Sequence, residues 1–169
     1  TGIILIEDAA QSFGAKYKNL NSCNIADISV TSFFPTKTLG SFGDGGAVFT
    51  NKKKIFQKIF FLRNHGQTKK KYIHNYVGLN ARLDTIQAAI LLAKLDLFEV
   101  EVELRTNIGS RYTSKLKEKG LKTTPFISPE NTSVYGQYTI QVNNRDLVIE
   151  KMKNKGIPTS VHYPSLLPD

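Results

Sequence analysis

Apolar runs of strand length alternate with turn-forming residues over the first fifty positions of the chain. The runs lie at 2–6, 28–30 and 47–49, and the first of them is uninterrupted. An uninterrupted apolar run predicts a strand that is buried on both faces, as in a parallel sheet. We therefore expect this part of the chain to form a sheet of the α/β class.

A helical period replaces the strand pattern further along the chain. Apolar residues recur three and four positions apart over 52–64, shortly before Gly66, and again over 84–119. Both patterns predict helices with one apolar face. Asp84 is a candidate N-cap of the long helix, and Gly109 indicates a kink or a break within it.

The last part of the chain has α+β character. Its pattern predicts a strand over 138–142, a helix over 147–155 that ends at Gly156, and a strand over 159–163. We expect a first domain over 1–102 and a second domain over 103–169, with the long helix leading from one into the other.

A glycine-rich segment with one lysine separates the second and third apolar runs. It reads SFFPTKTLG and continues into GDGG, with Lys37 as its lysine. Pro35 and the glycines favour a loop that something approaches closely. Burial in such a loop lowers the pKa of a lysine and frees its amine as a nucleophile, as a Schiff-base lysine requires. The alternative is a lysine that is merely solvated.

Carboxylates follow the first apolar run directly, in the order Glu7 and Asp8. The carboxyl end of a buried strand is where open α/β sheets bind ligands. If the chain turns helical there, Asp8 and Gln11 share one face at i, i+3 spacing. The alternative for Asp8 is a helix cap.

These segments resemble the DegT/DnrJ/EryC1/StrS family of sugar-nucleotide aminotransferases, which use pyridoxal phosphate on the type I aminotransferase fold. The matching segments are 6–14, 32–37, 43–47, 63–66, 78–84 and 156–164. They occur in family order over nearly the whole chain. The resemblance implies the carboxyl-terminal part of the large cofactor domain (1–102) and part of the small domain (103–169), within a longer enzyme.

The resemblance implies that five residues bind the cofactor. Lys37 would carry pyridoxal phosphate covalently and then move a proton between substrate and cofactor, and Asp8 would hold the proton on the ring nitrogen. Gln11 would lie against the ring or its phenolic oxygen. Ser32 would bind the phosphate, and Asn80 would reach the phosphate in the neighbouring subunit. The last role implies a homodimer with shared active sites.

Four further residues are candidates for substrate binding. Arg82 has a planar fork that suits a carboxylate or phosphate, although an ion pair with Asp84 or another carboxylate explains it equally well. The family also uses the region of His162 and Tyr163 near the sugar, and His65 is another polar candidate.

The expected activity is transamination of a nucleotide-linked keto sugar to an amino sugar for cell-surface polysaccharide or glycan synthesis, with glutamate as amino donor. The residues of these motifs resemble those of family members that act on a UDP-linked 3-keto-N-acetylglucosaminuronate. One alternative is a non-catalytic or basic binding module on the same fold. Another is a dehydratase-type relative, in which histidine replaces the lysine; Lys37 argues against it.

The charge, histidine and cysteine content of the chain indicates which classes of ligand it binds. The chain has a formal net charge of +9, but its lysine runs at 52–54 and 69–71 are short and lack interleaved aromatic residues. We expect neither nucleic-acid nor membrane binding, and no metal, because the three histidines and Cys23 lack ligand spacing. A single cysteine cannot form an intrachain disulfide, so a cytoplasmic location is expected.

Overall fold

The structure is a computed structural model and describes residues 2–165. Six short strands and three helices follow one another in the described residues. They are β1 (Ile6–Asp8), β2 (Lys16–Tyr17), β3 (Leu20–Asn21), β4 (Ile28–Ser32), β5 (Gly46–Phe49), α1 (Lys53–Leu62), α2 (Thr85–Glu118), β6 (Asn131–Thr132) and α3 (Arg145–Asn154).

Strand β4 is the centre of a three-stranded sheet. It pairs with β1 in parallel and with β5 antiparallel. Its polar residues Ser29 and Thr31 are buried but satisfied, since Ser29 Oγ donates to Glu7 and Thr31 Oγ1 donates to the carbonyl of Ala9. The sheet therefore brings the end of β1 and the end of β4, where the loop to β5 begins, to one edge.

The prediction of a strand over 2–6, buried on both faces, is wrong in its bounds and its burial. Only Ile6–Asp8 pairs with β4, and Ile3 and Ile4 are 80% and 66% exposed. The reason is that β1 lies at the edge of this sheet, and the described residues leave the apolar side chains of this run exposed. The apolar run indicates that this segment is suited to burial, but the described part of the chain does not bury it.

The apolar core lies between the β4–β5 loop and the first half of α2. Phe33 and Leu39 of the loop pack on Leu91 of the helix, and Phe13 and Phe98 border them. The rings of Phe13 and Phe33 meet edge to face with centroids 6.2 Å apart. This core fixes the loop against the helix.

Helix α2 begins as predicted, because Asp84 Oδ1 accepts a hydrogen bond from the backbone N–H of Ile86 at 2.8 Å. The break predicted as one alternative at Gly109 does not occur, because the helix continues through this residue to Glu118. Gly109 serves a different purpose, since a Cβ there would lie 2.4 Å from the ring of Tyr135. The glycine allows an aromatic ring to contact the helix backbone.

A second small sheet, in the order β3-β2-β6, joins distant parts of the chain. Strand β6 pairs with β2, and Val134 just after β6 is only 2% exposed. Thr106 Oγ1 of α2 donates to the Ser133 carbonyl at 3.1 Å. Residues 131–134, which the sequence assigns to the second domain, thus contact residues of the first.

Two predicted strands near the end of the chain, 138–142 and 159–163, do not form in the structure. A strand needs a neighbour that pairs with its backbone. Among residues 2–165, the backbone of the first segment bonds only to Thr123, through Gln141, and the backbone of the second segment forms no hydrogen bond. Helix α3 is present and ends before Gly156, whose φ is +71°. None of the helices within 2–165 has the length and apolar content needed to span a membrane.

Candidate active site

Asp8 lies at the carboxyl end of β1, opposite Val30 of β4. Its Oδ1 accepts a hydrogen bond from the N–H of Ala10 at 3.0 Å within a turn, and since no helix begins there the alternative of a helix cap does not describe this structure. Its Oδ2 accepts no hydrogen bond from any of the described residues. An exposed carboxylate with one oxygen available suits a cationic N–H partner.

Glu7, the neighbour of Asp8, ties this strand end to the rest of the sheet. Its two carboxylate oxygens accept hydrogen bonds from Ser29 Oγ and from the N–H of Cys23, both at 2.9 Å. Burial and, to a smaller extent, the negative charge of Glu7 together raise the pKa of the Cys23 thiol to about 11. No local signal in the sequence indicates this role of Glu7, because its partners lie 16 and 22 residues away.

Gln11 lies in a single turn after β1, in which the N–H groups of Ser12 and Phe13 donate to the carbonyl of Ala9. Its side chain is exposed and lies beside Gly136, where a Cβ would approach Gln11 Oε1 to 3.2 Å. Asp8 and Gln11 therefore flank one short turn, and the helix on which the sequence pattern would place them on one face does not form.

Lys37 lies in the loop between β4 and β5, as predicted, and its side chain is half-buried. Its backbone N–H donates to the carbonyl of Phe34 at 2.9 Å. Ser41, which is 1% exposed, contacts the carbonyls of Phe33 and Gly43 through Oγ at 2.8 and 2.6 Å. These bonds hold the loop in one conformation.

Ser32 is the last residue of β4. Its Oγ accepts the N–H of Phe34 at 3.2 Å, so its hydroxyl hydrogen remains available to donate to an anion. The amine of Lys37, the carboxylate of Asp8 and this hydroxyl are the donor and acceptor types that fit pyridoxal phosphate. Asp8 and Ser32 end the two neighbouring parallel strands β1 and β4, and Lys37 follows in the loop that leaves this edge.

Asn80, Arg82 and His65 form a separate group. Asn64 and Asn80 pair as an antiparallel bridge, and Arg82 Nη1 donates to Asn64 Oδ1 at 3.3 Å. Asp84 caps α2, and among the described residues Arg82 forms no ion pair. The second explanation for Arg82, an ion pair with Asp84, therefore does not describe this structure.

Two glycines allow the segments of this group to approach each other. A Cβ at Gly66 would lie 1.8 Å from the carbonyl oxygen of Tyr76, and one at Gly78 would lie 2.1 Å from the N–H of Gly66. The exposed His65 adopts a φ of +58°, and its carbonyl lies 2.9 Å from His74 Nδ1. No side chain fits between these two segments.

His162 and Tyr163 are exposed, and their rings contact each other edge to face at 6.0 Å. They lie in the segment where the predicted strand does not form, and the structure brings them to neither of the two groups above. No cluster of metal-ligating side chains occurs within 2–165.

One cavity in the described part of the chain is lined by neither Asp8 nor Lys37. It has a volume of about 880 Å³, lies between β4, β5 and α1, and is bordered by Arg63 and Arg82. Most of its lining is apolar, including Phe56, Ile59 and Leu83. Because the chemistry-bearing groups lie at the strand ends, we assign the candidate site to that edge and not to this cavity.

Known proteins similar to this chain agree on one family. The model of the DegT/DnrJ/EryC1/StrS aminotransferase family matches residues 1–168. The chain is 52% identical over 163 residues to UDP-2-acetamido-2-deoxy-3-oxo-D-glucuronate aminotransferase of Pseudomonas aeruginosa, covering 96% of this chain and 45% of the relative. It is 36% identical to UDP-N-acetyl-3-dehydro-alpha-D-glucosamine 3-aminotransferase of Acidithiobacillus ferrooxidans, covering 96% of this chain and 44% of that relative.

Solved structures agree with the fold. A DegT DnrJ EryC1 StrS aminotransferase from Brucella abortus has a TM-score of 0.94 at 40% identity, covering 98% of this chain and 44% of that one. DesV from S. venezuelae, solved with a ketimine intermediate, has a TM-score of 0.90 at 35% identity. The match covers 97% of this chain and 44% of the DesV chain. The α/β, type I pyridoxal-phosphate-dependent aminotransferase fold is thus confirmed. The chain spans about 45% of the length of its curated relatives and belongs to the DegT/DnrJ/EryC1/StrS aminotransferase family.

Proposed function

We propose that the protein carrying this chain transfers an amino group to a nucleotide-linked keto sugar, with pyridoxal phosphate as cofactor. The observation that carries this proposal is Lys37, in a loop fixed by buried hydrogen bonds at the edge where the Asp8 strand ends. Aminotransferases of this family depend on pyridoxal phosphate, which supplies an electron sink when bound.

Each residue of the strand-end group has a distinct task in this proposal. The amine of Lys37 binds the cofactor covalently and, once displaced, moves a proton to and from the substrate carbon. The unengaged oxygen of Asp8 keeps the ring nitrogen protonated. Gln11 would lie against the cofactor ring or its phenolic oxygen, and Ser32 would donate its hydroxyl hydrogen to the phosphate.

We extend the proposal to a homodimer in which Asn80 of one protomer completes the phosphate site of its partner. The exposure of Asn80 and its neighbour Leu79 (71% exposed) is compatible with such a contact. In this arrangement residues 1–102 belong to the cofactor domain and 103–169 to the small domain.

The proposed substrate is a UDP-linked 3-keto-N-acetylglucosaminuronate, with glutamate as amino donor. The name of the Pseudomonas aeruginosa relative supports this choice. Arg82 uses only Nη1 for Asn64, so its remaining N–H groups can bind the uronate carboxylate. His65 would contact the sugar, and His162 and Tyr163 would reach it across the proposed homodimer. The product would enter cell-surface polysaccharide or lipopolysaccharide synthesis in the cytoplasm.

The experiment that tests the cofactor assignment is absorption spectroscopy of the full-length protein with added pyridoxal phosphate. The unmodified protein should show the visible band of lysine-bound cofactor, and Lys37→Ala should abolish it. Lys69→Ala replaces an exposed lysine and serves as the matched control, so it should keep the band.

A band that survives in Lys37→Ala, or an unmodified protein without a band, would refute the assignment. The latter result would favour the basic binding module. Incubation with a panel of nucleotide keto sugars and labelled glutamate then identifies the substrate. A dehydrated sugar without incorporated label would favour the dehydratase-type relative.

A further inference from the structure

One face of helix α2 holds the loop that carries Lys37. Gln87 Oε1 accepts the backbone N–H of Phe42 at 2.8 Å, and Lys94 Nζ donates to the carbonyl of Gly40 at 2.5 Å. Between them Leu91 is 5% exposed and belongs to the core that includes loop residues. The loop is therefore attached to the helix by two polar contacts on either side of an apolar one.

The three helix residues share a face because their spacing is i, i+4 and i+7. A regular helix keeps such positions fixed relative to one another, so it offers a rigid support for the loop. Lys94 and Gly40 lie 54 residues apart, and Gln87 and Phe42 lie 45 apart. The two bonds thus join the loop to an element that is remote in sequence.

Gly40, the residue that Lys94 contacts, packs closely against the first residues of the loop. A Cβ at Gly40 would lie 2.6 Å from the carbonyl oxygen of Pro35 and 2.8 Å from that of Phe34. The N–H of Lys37 donates to the same Phe34 carbonyl. Gly40 therefore packs closely against Phe34, whose carbonyl accepts the backbone N–H of Lys37, so a shift of Gly40 disturbs the residue that holds Lys37.

We propose that Lys94 and Gln87 are positioning residues for Lys37, and that Lys94 acts through its charge-assisted hydrogen bond to the Gly40 carbonyl. The catalytic consequence rests on the proposed function, since it requires Lys37 to react. Hydrogen bonds from an ammonium group are stronger than neutral ones. The carbonyl of Gly40, a buried residue, would lose this partner if Lys94 were replaced by an apolar side chain.

The test uses the full-length protein and four variants. Lys94→Met keeps the length of the side chain without its donor, Lys94→Arg keeps a cationic donor, and Gln87→Ala removes the second contact. Lys115→Met changes an exposed lysine near the end of the same helix and serves as the control. Hydrogen exchange of the amides over 37–43 reports the order of the loop without any cofactor.

We expect faster exchange over 37–43 in Lys94→Met and Gln87→Ala, and unchanged exchange in Lys115→Met. With the keto sugar, kcat of Lys94→Met should fall about 10- to 100-fold while KM stays within about twofold, because a displaced reactive group affects the chemical step. Lys94→Arg should restore most of kcat, which a simple loss of helix packing would not explain.

Unchanged exchange in Lys94→Met would overturn the inference, because the loop would then not depend on this bond. Faster exchange with an unchanged kcat would also overturn it, since Lys94 would be structural only. If the unmodified protein bound no pyridoxal phosphate, the proposed function and the catalytic consequence would both fail. The exchange data would still decide whether α2 orders the loop.

Discussion

Gly109→Ala provides a quantitative test of the packing around α2. Intrinsic helix propensity favours alanine over glycine by about 1 kcal/mol in a helix interior. The structure opposes this gain, because the new Cβ would lie 2.4 Å from two ring carbons of Tyr135. Favourable contacts between carbon atoms need about 3.5–4.0 Å, so the ring or the helix has to move by more than 1 Å.

The ring of Tyr135 cannot withdraw easily. It stacks on the ring of Tyr138 with centroids 5.7 Å apart, and the preceding residue Val134 is 2% exposed. Overpacking of a well-filled site costs about 1–3 kcal/mol, and the lack of space favours the upper part of that range. After subtraction of the propensity gain, we expect Gly109→Ala to lower the free energy of unfolding by about 2 kcal/mol.

The assay is urea unfolding followed by circular dichroism at equilibrium. Ser110→Ala is the matched control, because Ser110 is exposed in the next position of the same helix and should gain only the propensity difference, a few tenths of a kcal/mol. In a Tyr135→Ala background the cost of Gly109→Ala should disappear. If Gly109→Ala matches or exceeds the stability of the unmodified protein, the close contact with Tyr135 does not govern this position.

Two further predictions concern buried groups near the candidate site. Ser41→Ala should lower the free energy of unfolding by about 1–3 kcal/mol because it removes a buried donor from two carbonyls. The control Ser114→Ala, at an exposed site, should change the free energy of unfolding by less than about 0.5 kcal/mol. Equal urea midpoints of the two variants would contradict this prediction. At pH 8 Cys23, with a pKa of about 11, should react with a disulfide reagent about a hundredfold more slowly than a free thiol. Glu7→Gln removes a negative charge that raises this pKa and should accelerate the reaction; an unchanged rate would contradict the assigned cause.

Local sequence signals predicted those elements whose cause is local. The N-cap at Asp84 and the helical period that follows it depend on residues within a few positions, and α2 begins where they indicate. The loop around Lys37 was predicted for the same reason, since Pro35 and the glycines restrict the backbone directly. The resemblance to the family then supplied the roles that local patterns leave open.

Elements that depend on distant partners were not predictable in this way. The segments over 138–142 and 159–163 have strand-like patterns, but a pattern does not reveal whether a neighbouring strand is available. Gly109 was interpreted as a helix breaker because propensity considers the helix alone, whereas its partner Tyr135 lies 26 positions away. The spacing of Gln87 and Lys94 was visible as one helix face, but nothing in the sequence indicated that this face meets the Lys37 loop.

Helix α2 also explains how two segments far apart in sequence are held in one arrangement. About one turn beyond Lys94, Phe98 packs on the short turn that follows Asp8: its ring lies 5.5 Å from that of Phe13, and a Cβ at Gly14 would lie 2.8 Å from it. One turn of helix is about 5.4 Å, so successive turns of a single rigid element contact the lysine loop and the carboxylate turn. The relative position of the amine and the carboxylate therefore depends on the regularity of α2 between Gln87 and Phe98. A substitution that distorts the helix there should impair both groups together, even though it touches neither.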